Sequence, residues 1–152
     1  MTPGLVMVAV FASMLAAQTA PAPELYSTPG RVLARGQNTI PDGFYRLKTY
    51  RIEEVRLARP VAATVAGTPR MVDRAFRVIL VGESFPVRAL PPVIWAGDIL
   101  VGRAQESRDL TEVVAVTFDA SIIGEGATLG LSFGETGERE VLREPIRYAV
   151  AP

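Results

Sequence analysis

The 152-residue sequence contains neither cysteine nor histidine, has one tryptophan, and has Lys48 as its only lysine. Without cysteine there is no disulfide, no thiolate metal site and no lipid-bearing thiol. Without histidine the commonest general base and metal ligand is missing, so Ser-His-Asp, Cys-His and histidine-zinc chemistry are excluded. Catalysis would have to run on paired carboxylates, a Ser-Lys pair or an oxygen-bound metal. Ser27 and Ser84 stand in no S-x-x-K arrangement with Lys48. Net charge is also absent, at zero overall, which removes the uniform basic field that would point to nucleic acid. The expectation is a chain with no cofactor, no metal, no catalytic residue and no nucleic-acid partner.

What the chain does contain begins with an apolar run from Leu5 to Ala17, broken only by Ser13. Thirteen helical residues reach about 20 Å, short of the roughly 30 Å hydrocarbon core, so no transmembrane span is expected. Small residues at Ala16 and Ala17 and the polar "QTAPAPE" that follows match a signal-peptide cleavage zone, although only the terminal amine supplies positive charge ahead of the run. Residues 1–17 are therefore expected to be a signal peptide, and the protein to be exported to a periplasmic or extracellular setting. Residues 18–43, with "APAP", "STPG" and "IPDG", read as a flexible proline- and glycine-rich arm in which "RVLAR" can form an edge strand.

Residues 44–152 read as one β domain. In "FYRLKTYRIEEVRLARPVAATV" the pairs Tyr45 and Leu47, Tyr50 and Ile52, and Val55 and Leu57 sit two apart, as in strands whose phase slips between pairs. "AFRVILVGESF", "PPVIWAGDILVG" around the turn Ala96-Gly97-Asp98, "TEVVAVTF", "ATLGLSF" and "EVLREPIRYAV" continue the pattern. Short strands at roughly ten-residue intervals, with no amphipathic helix between them, predict an all-β immunoglobulin-like sandwich of about seven strands.

The glycine-rich "SIIGEGATLG" does not satisfy a dinucleotide fingerprint. Gly130 arrives one residue late after Gly124 and Gly126, and the following residues alternate as a strand rather than opening a helix. The expectation is structural: Asp119 caps a short turn, Ile122 and Ile123 anchor it, and the glycines turn the chain.

From Val61 to Val150 the order of features resembles the IPT/TIG type of immunoglobulin-like domain. The resemblance rests on G-x-x-F at Gly82-Glu83-Ser84-Phe85, then "VIWAG", "EVVAVTF", "SIIGEG" and "ATLGLSFGETG"; "MVDRAF" stands where the family usually has glycine-glycine-threonine. Such a resemblance implies a non-catalytic binding or spacer module of extracellular proteins.

Two groupings of residues invite a ligand. Phe44, Tyr45, Arg46, Lys48, Tyr50 and Arg51 interleave aromatic and cationic side chains along one ribbon, a composition suited to an envelope protein or an anionic polysaccharide. Glu106, Asp109 and Glu112 could supply oxygens to a weak Ca²⁺ site, with Arg108 competing for them. Trp95 could stack on a sugar in a carbohydrate-active protein using carboxylates, or could fill the core. Charge is uneven: residues 31–77 carry ten basic and four acidic groups, residues 78–152 six and eleven. The resulting reading is an exported, non-enzymatic module that binds an envelope or extracellular macromolecule. A carbohydrate-active protein and a ligand-free spacer are the alternatives.

Overall fold

The computed structural model describes residues 30–83, 85, 91–134 and 138–149. The expected signal peptide, residues 1–17, lies outside them, as do Ser84 of the G-x-x-F motif and most of the "ETGE" turn. The described chain is all-β, in two antiparallel sheets. The strands are β1 (Arg31–Gln37), β2 (Leu47–Val65), β3 (Thr68–Gly82), β4 (Pro92–Ala96), β5 (Ile99–Arg103), β6 (Gln105–Glu106), β7 (Glu112–Thr117), β8 (Leu129–Phe133) and β9 (Glu140–Val141). One sheet has the order β1-β2-β3-β7-β6 and the other β5-β4-β8-β9.

The core lies between the sheets. Leu47, Tyr50, Ile52, Val78, Leu80, Val113 and Ala115 from the first meet Ile94, Ala96, Leu129, Leu131 and Phe133 from the second. Alternation explains the choice: every second residue of a strand points to the same face, so "VVAV" in β7 sends Val113 and Ala115 inward. The phase slip anticipated near Thr49 is real, since the β2–β3 register shifts between Leu47 and Thr49 and keeps both Leu47 and Tyr50 inside. Tyr50 also needs its neighbour to be glycine, because a side chain at Gly36 would run into the tyrosine ring.

Two expectations are corrected. The edge strand expected at "RVLAR" forms, and it makes residues 31–37 part of a sheet rather than of a loose arm: β1 pairs with β2 from Arg31↔Glu54 to Gln37↔Thr49, and Ala34 is fully buried. The folded body therefore starts well before residue 44, because β1 fills the edge that β2 would otherwise leave open. "EVLREPIRYAV" is not one strand either. Only Glu140 and Val141 pair with β8, after which Leu142 and Ile146 are buried and the chain crosses to the other sheet. There Tyr148 bridges to Ala34 and the Ala149 amide bonds to the Leu33 carbonyl. Pro145, which has no amide to give, sits within this crossing.

The β2–β3 hairpin outruns both sheets. β1 stops pairing at Glu54 and β7 at Phe76, so residues 57–74 form a two-stranded ribbon of exposed and half-buried positions. Its turn is Ala66-Gly67, both at positive φ (51° and 80°), as a two-residue hairpin loop requires. Between the pairs Arg56↔Arg74 and Val61↔Val72 the first strand has four intervening residues, Leu57 to Pro60, against Asp73 alone. An excess of this kind on one strand forces a bend.

Candidate functional site

The six residues of the "FYRLKTYR" ribbon do not share a surface. Tyr45 (6% exposed) and Tyr50 (2%) are core residues. The Tyr45 ring packs edge-on against Phe85 and Phe133, and the Tyr50 hydroxyl accepts from the Arg147 amide at 2.9 Å. Their aromatic faces are occupied by the fold, which removes both from the expected surface. Arg51 pairs with Glu53 at 3.2 Å and Glu112 at 3.1 Å. Arg46 and Lys48 both reach Glu83, at 3.2 and 3.8 Å. Of the three aromatics Phe44, Tyr45 and Tyr50, Phe44 alone is open, at 66% exposure.

Phe44 is not isolated. The segment from Asn38 to Tyr45 is fastened to the segment from Glu140 to Glu144 by four contacts. Thr39 Oγ1 donates to Glu144 at 2.8 Å, and Arg143 pairs with Asp42 at 2.6 Å. The Arg143 amide donates to Asn38 Oδ1 at 3.2 Å, and the Tyr45 amide donates to Glu140. Ile40, Phe44 and Val141 are all exposed in this fastened region. Three solvent-facing apolar side chains thus lie on the two segments that these contacts join, segments that also carry Asp42, Arg143 and Glu144.

Beneath this surface Glu140 is buried. Its carboxylate accepts the Tyr45 amide and, at 3.0 Å, the Leu47 amide. Arg46, between those two residues, has φ of 47°. A left-handed residue flanked by two amides aimed at one point is a backbone nest, an anion cradle, and here the anion is the protein's own. Gly43 lies so close to the same carboxylate that a side chain there would collide with it. The loop carrying Phe44 is consequently pinned by a buried charge.

Trp95 is half-buried on the outer side of β4. Its Nε1 donates to Ser132 Oγ at 2.8 Å, and the Arg139 guanidinium lies 3.8 Å from the ring centroid. Arg139 in turn donates to the Gly97 carbonyl at 2.9 Å. A ring face that a sugar would use is covered by a cation that is itself held in place.

The acidic loop closes on itself. Asp109 accepts from Ser107 Oγ and Thr111 Oγ1, each at 2.8 Å, and these hydroxyls hold its carboxyl below the usual range. Glu112 is engaged by Arg51. Among the described residues no group of three acidic side chains is placed to hold a metal ion.

The glycine-rich stretch folds as the sequence indicates. Asp119 caps a short 3-10 helix, Ala120–Ile123, accepting the Ser121 amide at 2.9 Å and the Ser121 hydroxyl at 2.6 Å. Ile123 is fully buried, and Gly126 takes φ of 89° while Gly124 stays extended. The other Asp119 oxygen accepts the Ala66 amide, at the tip of the ribbon, at 3.2 Å. Burial works to raise the Asp119 carboxyl, but the bonds from Ser121 and Ala66 outweigh it and hold the group below its ordinary value.

The bond to Ala66 defines the shape of the ribbon. A straight strand would carry residue 66 about 26 Å beyond Arg74, whereas Asp119 lies only two residues past Thr117, the partner of Phe76. The ribbon therefore arches back over the end of β7. Under the arch runs an open groove of about 550 Å³ lined by Val61, Ala63, Pro69, Arg70, Phe118 and Asp119, among others. Comparison with protein-family models, with curated proteins and with solved structures finds no match for the chain.

Proposed function

We propose that the protein is an exported, non-catalytic immunoglobulin-like module that binds a protein of the cell envelope through the surface around Phe44. The observation that carries this reading is the exposure of Phe44, Ile40 and Val141 in one fastened region with charged residues beside them. Protein interfaces pair an apolar centre, often aromatic, with a polar rim in which arginine is frequent. The pinning of this loop by Glu140 lowers the ordering cost of association. An anionic polysaccharide is less well served there, because Arg46 and Lys48 share the Glu83 carboxylate.

Several features support the non-catalytic part of the reading. Asp42, Glu53, Glu54, Glu83, Glu112 and Glu140 are all engaged by arginines, Lys48 or backbone amides, and the sequence lacks histidine and cysteine. The G-x-x-F resemblance agrees with the packing of Phe85, which is buried against Tyr45 and donates its amide to the Leu110 carbonyl at 2.6 Å.

Capture from an envelope extract tests the surface. Phe44→Ala combined with Val141→Ser should reduce capture of a specific protein at least tenfold, while Met71→Ser, exposed on the ribbon, should not. Undiminished capture by the first variant rejects the assignment.

A further inference from the structure

The groove under the ribbon has a chemistry distinct from the Phe44 surface. Its neutral lining is mostly apolar: Val61, Ala62, Ala63 and Pro69 from the ribbon and Phe118 from the end of β7, with Thr64 and Thr117 beside them. Two charged side chains complete it, Arg70 and Asp119. Asp119 is already committed, since its oxygens accept two hydrogen bonds from Ser121, amide and hydroxyl, and one from the Ala66 amide. Arg70 has no carboxylate partner among the described residues, and neither do Arg56 and Arg59 nearer the base of the ribbon. Asp119 keeps its negative charge, so the two lining charges balance, but its acceptors are occupied, whereas the Arg70 guanidinium is left open to a ligand.

The ribbon is also poorly suited to the commonest alternative use of an open hairpin, the addition of a further strand. Pro60 stands on one edge and Pro69 on the other, the Leu57 to Pro60 bulge interrupts the first, and arginines occupy both. Proline, bulges and charge are the devices that keep exposed edges from pairing. What remains available is the lined space, and its volume falls within the roughly 300–1,000 Å³ typical of small-molecule sites.

We infer that this groove binds a single-chain anionic amphiphile, its hydrocarbon lying along Val61, Ala63, Pro69 and Phe118 and its carboxylate on Arg70. Apolar surface removed from water drives the chain into the groove, and a guanidinium–carboxylate contact fixes its direction. The Ala66–Asp119 contact closes the arch and keeps the two walls facing each other.

Dodecanoate below its micellar concentration is the probe, followed by calorimetry and by amide NMR shifts on the full chain. Saturable binding at one site is expected, with shifts at Ala62 to Thr64, Arg70 and Thr117 to Asp119. Dodecanol should bind at least tenfold more weakly, and dodecyltrimethylammonium more weakly still. Arg70→Gln, an exposed change compatible with folding, should erase the difference between acid and alcohol; Ala63→Phe should block both by filling the groove. No saturable binding, shifts centred elsewhere, equal binding of acid and alcohol to the unaltered protein, or binding of dextran sulfate in place of dodecanoate would each overturn the inference.

Discussion

Glu140 shows how one residue can decide a local structure. A buried carboxylate is tolerated when backbone amides replace its water, and here the Tyr45 and Leu47 amides do so. The pair of amides is oriented by the left-handed Arg46, so the acid and the loop that carries Phe44 depend on each other. Glu140→Gln keeps the size but leaves one of the two amides without its acceptor, which should cost about 1–3 kcal/mol of stability. Glu140→Ala orphans both and should cost more. Urea unfolding measures these losses against Glu83→Gln, an exposed ion-pair acid whose removal should change stability by about 1 kcal/mol or less. Equal effects of Glu140→Gln and Glu83→Gln would show that the nest holds nothing. Nothing local to residue 140 hints at this role, because a glutamate beside a strand end reads as solvated until the fold brings residue 45 against it.

At the scale of elements, the strands of the sandwich are legible where alternation is clean, as in "EVVAVTF" and "ATLGLSF", and the capped turn after Asp119 follows from its own local chemistry. Alternation puts Tyr45 with Leu47 and Tyr50 with Ile52, and the register shift between Leu47 and Thr49 turns both pairs to the core and leaves the cations outside. The long ribbon is less legible. Its turn is Ala66-Gly67 rather than the asparagine- or aspartate-glycine pair that signals a hairpin, and an alanine at φ of 51° is disfavoured by roughly 1–2 kcal/mol. Ile40 and Val141 are not legible in the sequence, because a single apolar residue in a loop or short strand carries no pattern. The arginines of the ribbon did leave a trace, in the basic excess of residues 31–77.

The Asp119 contact makes the ribbon's arch sensitive to acid. Because hydrogen bonds hold this carboxyl below its ordinary value of 3.8, the arrangement favours the ionised form. Its contribution is complete above that value and is lost as pH falls through the lower, folded value. The Ala66 amide resonance should therefore titrate with a midpoint below 3.8, and the groove-lining amides should broaden with it. In Asp119→Ala the Ala66 titration should vanish at once. An Ala66 amide indifferent to both acid and the substitution would mean that the arch is held by the bulge alone.

For the molecule as a whole, the sheets are closed by the chain from Leu142 to Ala149, which leaves one sheet after β9 and ends beside β1 of the other. Two tyrosines fasten it: Tyr50 accepts the Arg147 amide, and Tyr148 donates its hydroxyl to the Ile123 carbonyl. Burial, with Glu125 and Tyr50 nearby, raises the Tyr148 hydroxyl above its usual value of 10.0, so the fold prefers the neutral phenol. That preference stabilises the protein fully below pH 10 and is lost as pH rises through the raised, folded value. Tyr148→Phe keeps the ring and removes the donor, at a cost of about 1 kcal/mol near neutrality. It should also flatten the alkaline limb of the stability curve, since no phenol at this position remains to ionise. Urea midpoints from pH 7 to 11 for the two proteins should thus converge at high pH. Parallel curves would show that the closing segment is held by Leu142, Ile146 and the Tyr50 contact, with the Tyr148 hydroxyl contributing nothing to the seam.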